Sequence, residues 1–203
     1  MSSGKTTSNQ QRIMRRVTQK GRGWVFTPND FADFGDPRAI GMALTRLVRD
    51  GSIRRVGRGL YDYPRTHPVI GHTAPSPDAV VSAMARKKGI RLLPSKALAA
   101  NQLGLSTQVP AQMVYHTDGA PSAVQLDKLK IAFRRNTGRL MGLAGRPSGL
   151  VAQALRDVGQ GKVTPQHIQT IRSHLSATDR KQLLKDLDRL PVWMRPHIQE
   201  IAG

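Results

Sequence analysis

The stretch DPRAIGMALTRLVRDGSIRRVGRGLYDYP, residues 36–64, carries the signals that decide the fold of the first third of this chain. Asp36 can cap a helix, and Pro37 suits its first turn because the amide it lacks has no partner there anyway. Ile40, Ala43, Leu44, Leu47 and Val48 then recur at the spacing of one buried helical stripe. The opposite stripe holds Arg38, Met42, Thr45, Arg46 and Arg49, and Gly51 ends the helix. Two short β-prone runs follow, Ile53–Val56 and Leu60–Tyr63. Gly57-Arg58-Gly59 joins them, which is a hairpin signal.

Working upstream, Thr27-Pro28-Asn29-Asp30 repeats the helix start, with Asp30 where a capping-box acid belongs. Phe31 and Phe34 sit three apart on that short helix. Trp24-Val25-Phe26 is too brief for a helix and reads as a small strand. A first helix is expected from about Gln10 to Lys20, with Ile13, Met14 and Val17 on one face. Residues 1–9 are polar and are expected to be disordered. The order is helix, short strand, helix, turn, helix, hairpin, the pattern of a winged helix-turn-helix over residues 10–65.

Downstream, residues 64–77 hold four prolines and read as a linker. The remainder, 66–203, reads as a mixed α/β domain. Helices are expected near Asp78–Lys88 and Ser95–Leu103. Arg91-Leu92-Leu93, Gln112–His116, Ala123–Leu126 and Leu129–Arg134 read as strands, with turns at Asp118-Gly119 and Asp127-Lys128. A helical tail is expected from about residue 148, entered through Gly142–Gly149, which reads as a hinge. Thr164-Pro165 and Ser176–Asp179 start further helices, Leu183, Leu184, Leu187 and Leu190 mark an apolar face, and Pro191 and Pro196 read as breaks. The fold class is therefore α+β.

Charge points to a partner. The chain of 203 residues carries 32 Lys+Arg against 13 Asp+Glu, a formal net charge of +19. Such an excess attracts polyanions, because each phosphate contact releases condensed counterions. The last 57 residues hold 8 basic and 5 acidic side chains, so most of the excess lies upstream of the tail. A DNA reader needs a helix whose outward face enters the major groove, where each base pair shows a distinct pattern. Arg38, Thr45, Arg46 and Arg49 are the candidates on that face. Arg54, Arg55 and Arg58 are the candidates on the wing. A second basic group comprises Arg86, Lys87, Lys88, Arg91, Lys128, Lys130, Arg134 and Arg135. It reads as a solvated face or as a further contact surface for RNA, DNA or protein.

Other chemistries find little support. There is no cysteine, so disulfides and thiolate metal sites are excluded. None of the six histidines has the spacing of a metal pair, and glutamate occurs once, at Glu200. No carboxylate pair, catalytic triad or phosphate-binding loop assembles, so no enzyme activity, metal or cofactor is expected. No apolar run approaches the ~18 residues of a membrane span. The polar N-terminus lacks the apolar region of a secretory signal, so a cytoplasmic location is expected.

Several segments resemble a known family. Arg58–Pro64 resembles the N-terminal domain of AbiEi-type antitoxins of type IV toxin–antitoxin systems. Ala99-Ala100-Asn101-Gln102-Leu103-Gly104-Leu105-Ser106-Thr107-Gln108-Val109-Pro110, continued by Val114–Gly119, resembles the hallmark of their second domain. Gly145-Arg146-Pro147 and Leu190–Met194 extend the similarity over about residues 10–195. The resemblance implies a promoter-binding autorepressor. It also implies an antitoxin that counters a nucleotidyltransferase-type toxin without a stable complex. Residues of the chain by themselves leave two alternatives open. One is a stand-alone winged-helix transcription factor whose second domain senses a ligand or partner. The other is an RNA-binding protein.

Overall fold

The computed structural model describes residues 8–68, 71–108, 111–126 and 129–203. The fold is α+β, and the chain divides between Gly89 and Ile90 into two compact units.

The first unit opens with α1 (Asn9–Lys20). Ser8 caps it, and Gln11 returns a side-chain bond to the Ser8 amide, so ordered structure begins within the segment expected to be disordered. A Ser followed three residues later by Gln is the local signal for that start. Strand β1 (Val25–Phe26) leads into a 3-10 turn, Pro28–Phe34, rather than a regular helix. Asp30 accepts from the Thr27 amide at 2.8 Å and holds that turn's start. Helix α2 (Pro37–Arg49) follows, with the Asp36 carboxylate accepting from the Ala39 amide at 3.0 Å. Strands β2 (Arg54–Gly57) and β3 (Leu60–Asp62) form the hairpin, and β3 lies between β1 and β2 in an antiparallel sheet. Gly59 at the turn has φ +67°, which favours glycine.

The core of this unit joins Ile13 and Val17 of α1, Phe26, Phe31, and Ile40, Ala43, Leu44 and Leu47 of α2. Each fully buried Ile or Leu contributes roughly 1.5–3 kcal/mol over exposure. Phe26 and Phe31 meet edge to face with centroids 5.5 Å apart, a favoured geometry for their quadrupoles.

The expected linker contains regular elements. β4 (Thr66–His67) pairs with β5 (Gly71–His72), and Pro77 opens α3 (Pro77–Lys88), capped by Ser76. The boundary expected at residues 65/66 lies instead between Gly89 and Ile90. α3 packs within the first unit, because Arg86 donates to Asp30 at 2.9 Å and to the Val25 carbonyl at 2.8 Å.

In the second unit, β6 (Leu92–Pro94), β7 (Gln112–Thr117), β8 (Ser122–Leu126) and β9 (Leu129–Arg135) form one sheet in the order β6-β7-β9-β8. β7 and β9 are parallel, while the outer pairs are antiparallel. Helix α4 (Lys96–Gln102) lies between β6 and β7 in sequence, with Ser95 as its cap. A 3-10 turn, Arg139–Leu143, precedes α5 (Pro147–Val158), α6 (Pro165–Ser173) and α7 (Ala177–Lys185). Two 3-10 turns, Leu187–Arg189 and Val192–Met194, then lead to α8 (Arg195–Ala202). The apolar core combines Leu93, Leu103, Val151, Leu155, Ile171, Leu183, Ile198 and Ile201.

Three expectations for the tail change. Gly142–Gly149 is not a hinge but a packed junction. Arg146 reaches Asp186 at 2.7 Å, and Ser148 donates to the same carboxylate at 2.8 Å. A methyl group on Gly149 would overlap the Leu143 carbonyl oxygen. Pro196 does not break a helix; it sits in the first turn of α8, where its missing amide costs nothing. Leu184 is exposed, while Leu183 of α7 and Leu190 beyond it face the core.

Candidate nucleic-acid interface

The outward face of α2 is the most distinctive surface of the first unit. Arg38, Met42, Thr45, Arg46 and Arg49 are all exposed along one stripe, while Ile40, Ala43, Leu44 and Leu47 are buried behind it. No carboxylate lies within that stripe. Arg38 and Arg46 make no ion pair or side-chain hydrogen bond among the described residues. Arg49 makes only a loose contact with Asp50, at 3.8 Å and well exposed. Thr45 uses its hydroxyl hydrogen on the Gly41 carbonyl at 2.9 Å, so its side chain offers an acceptor and a methyl group rather than a free donor. Met42, 57% exposed at the middle of the stripe, was absent from the expected contact residues. Its place four residues from both Arg38 and Arg46 was the available signal.

Three other arginines of this unit, Arg12, Arg16 and Arg22, show a contrast. Arg12 donates to the Phe34 carbonyl and lies over the Phe34 ring at 4.2 Å. Arg16 forms a two-bond pair with Asp33 at 2.7 and 2.8 Å, and those bonds hold the Asp33 carboxyl below its ordinary range. Arg22 caps the Pro64 carbonyl at 2.9 Å and covers the Tyr63 ring. The fold has committed these groups to itself.

The wing candidates separate in the same way. Arg54 donates to both carboxylate oxygens of Asp62, at 3.0 and 2.6 Å, and to the Thr73 carbonyl at 2.7 Å. Asp62 is buried, so Arg54 neutralises an interior charge with its Nε and Nη2. Arg55 is exposed, with a long bond to the Gly57 carbonyl at 3.4 Å. Arg58 is exposed at the turn and has no partner among the described residues.

The second basic group does not form one surface within one unit. Arg86, Lys87 and Lys88 belong to α3 in the first unit, where Arg86 is tied to Asp30. Arg91, Lys130, Arg134 and Arg135 belong to the second unit, and Lys128 lies outside the described residues. Arg91 pairs with Asp118 at 2.8 Å, and that bond keeps the Asp118 carboxyl below its ordinary range. Lys130 and Arg134 share one face of β9 by strand alternation, and Arg134 stands beside His116 of β7. Burial, then the charges of Arg134 and Arg156, hold the His116 imidazole below its ordinary pKa. Its Nδ1 is buried without a hydrogen-bond partner among the described residues.

Among the described residues, no cluster of histidine and acidic side chains could hold a metal ion, and no helix is long and apolar enough to cross a membrane.

Residues 12–183 match one protein family across both units. The chain belongs to the Family of unknown function (DUF6088). No curated protein matches this DUF6088 chain. Among solved structures it is similar to the crystal structure of RV2827C protein from Mycobacterium tuberculosis, at 18% identity and a TM-score of 0.41. That similarity covers 96% of the DUF6088 chain and 76% of the other.

Proposed function

We propose that the first unit is a winged helix-turn-helix that binds double-stranded DNA. In this reading α2 enters the major groove and the β2–β3 turn lies against the backbone. The observation that supports it is the α2 stripe, where exposed Arg38 and Arg46 stand without carboxylates and Arg49 meets only Asp50 loosely, while Arg12, Arg16, Arg22 and Arg54 are committed internally. Arg38, Arg46 and Arg49 suit guanine edges or phosphates, which a planar fork can engage with two bonds. Met42 and the Thr45 methyl suit the thymine methyl group. Arg58 and Arg55 supply backbone contacts, and Arg54 supports the wing from within.

Fluorescence anisotropy with a duplex carrying the chain's own promoter tests this assignment. Arg46→Ala or Arg49→Ala is expected to weaken binding by about 1–3 kcal/mol if the residue reads a base. Arg58→Ala is expected to weaken all duplexes alike and to lower the salt slope by about one phosphate. Wild-type affinity for both α2 variants at every salt concentration removes α2 from the interface.

We also propose that the protein represses its own operon and acts as an antitoxin against a nucleotidyltransferase-type toxin. The resemblance of the Ala99–Pro110 stretch to the second domain of AbiEi-type antitoxins supports this part. Co-expression with the neighbouring gene's product is the test, using the full chain and its Arg46→Ala/Arg49→Ala variant. Rescue by both separates antitoxin action from repression; rescue by neither refutes the antitoxin role.

A further inference from the structure

The second unit contains a cleft that neither DNA binding nor any identified contact uses. It has a volume of about 660 Å³ and lies among the Arg139–Leu143 turn, α5 and the two turns that precede α8. Small-molecule sites commonly span roughly 300–1,000 Å³, so a compact ligand fits. The cleft's lining sorts into three chemistries.

Arg139, Arg156 and Arg189 bring three exposed guanidinium groups to it. None of them has an ion pair or side-chain hydrogen bond among the described residues, and no carboxylate lines the cleft. Elsewhere in this unit Arg91 and Arg146 each hold an aspartate, whereas these three hold none. Three converging cations without a counter-charge suit a ligand with more than one negative charge, such as a phosphate group.

Trp193 presents a half-buried indole, backed by Leu140, Met141 and Met194. A planar ring can stack there. Gln153 supplies the third chemistry. It is 2% exposed, and its Nε2 donates to the Pro94 carbonyl at 2.9 Å. Its Oε1 is buried with no donor among the described residues. A buried acceptor left unmatched is costly, and a ligand that offers an N–H removes that cost.

We infer that this cleft binds a free nucleoside phosphate. The phosphate meets Arg139, Arg156 and Arg189, the base stacks on Trp193, and an N–H of the base supplies the donor that Gln153 lacks. The inference stands on the second unit alone and is independent of DNA binding by α2.

Calorimetry on the full wild-type chain tests it, with ribonucleoside mono- and triphosphates, the matching nucleosides, inorganic phosphate and a short oligoribonucleotide as probes. Fluorescence of the Trp24→Phe variant, in which Trp193 is the remaining tryptophan, adds a local readout. At least one nucleotide is expected to bind saturably and change Trp193 emission. Its nucleoside and inorganic phosphate should each bind at least about tenfold more weakly, since each lacks one half of the recognition. Arg156→Ala and Arg189→Ala should each weaken that nucleotide by about tenfold without shifting the melting temperature. Any of four results overturns the inference. These are no nucleotide binding up to roughly 1 mM, phosphate alone binding as tightly as the nucleotide, full affinity in both arginine variants, or tighter binding of the oligoribonucleotide than of every mononucleotide.

Discussion

Replacing Asp186 with Ala should loosen the second unit more than any other single carboxylate change. Asp186 is 2% exposed and accepts three side-chain bonds: from Arg146 at 2.7 Å, Ser148 at 2.8 Å and Gln182 at 3.0 Å. These bonds tie the start of α5 to the end of α7. Arg146 is 42% exposed, so water can take over its charge once the partner is gone. Ser148 is fully buried, so its hydroxyl is left without an acceptor. A lost bond to a charged group is worth about 1.5–3 kcal/mol, and an orphaned buried hydroxyl costs about 1–3 kcal/mol more. The expected loss is therefore about 3–5 kcal/mol, the range found when one partner of a buried ion pair is removed. Asp186→Asn keeps an acceptor and should lose roughly half as much.

Denaturant unfolding followed by Trp193 emission in the Trp24→Phe background reads the second unit separately. The pH dependence provides a second check. Burial would raise the Asp186 pKa, but the bonds from Gln182 and Ser148 and the charge of Arg146 outweigh it and hold the pKa below the ordinary 3.8. The unfolded chain therefore takes up this proton first as pH falls. The carboxylate's contribution is complete above 3.8 and is lost as pH falls through the folded value. The advantage of wild type over Asp186→Asn should shrink over that acidic window. A loss below about 1 kcal/mol for Asp186→Ala would refute the argument that these three bonds hold the junction.

Gly149→Ala should destabilise the second unit by about 1–3 kcal/mol, because the added methyl overlaps the Leu143 carbonyl and stands 2.8 Å from Leu93. Gly41→Ala in α2, where a methyl meets nothing within 4 Å, should stabilise the first unit by about 0.5–1 kcal/mol; thermal melts of the pair that move in the same direction contradict the packing. Arg54→Ala should cost the first unit about 3–5 kcal/mol by leaving Asp62 buried and unpaired, whereas Arg58→Ala should stay within about 0.5 kcal/mol; equal melting temperatures of the two variants would return Arg54 to the wing surface. His116 is held neutral below its ordinary 6.5, so the unfolded chain binds that proton first and stability falls as pH drops through 6.5. His116→Gln should flatten the slope below 6.5, and an unchanged slope assigns it to other groups.

Much of the architecture was legible because its signals are local. Helix starts at Asp36-Pro37, Ser95, Thr164-Pro165 and Ser176 all depend on side chains that reach backbone amides within three residues. The buried stripe of α2 follows from the 3.6-residue period, and the three strands after Gln112 follow from short apolar runs between turn residues. Ser8 with Gln11, and Pro196 in the first turn of α8, are local signals of the same kind.

What the sequence determined by itself was thus the order and type of most elements, the net charge, and the stripe of arginines on α2. What only the tertiary structure decided was which charges remain available. Arg54 finds Asp62 eight residues away, Arg146 finds Asp186 forty away, and Arg86 finds Asp30 fifty-six away. No periodicity encodes such pairs, because they depend on which surfaces the folded core brings together. The same holds for the cleft beside Trp193, whose lining runs from Leu93 to Met194. An arginine in the sequence is only a charge. Folding determines whether an aspartate already holds it or whether it still faces a partner from outside.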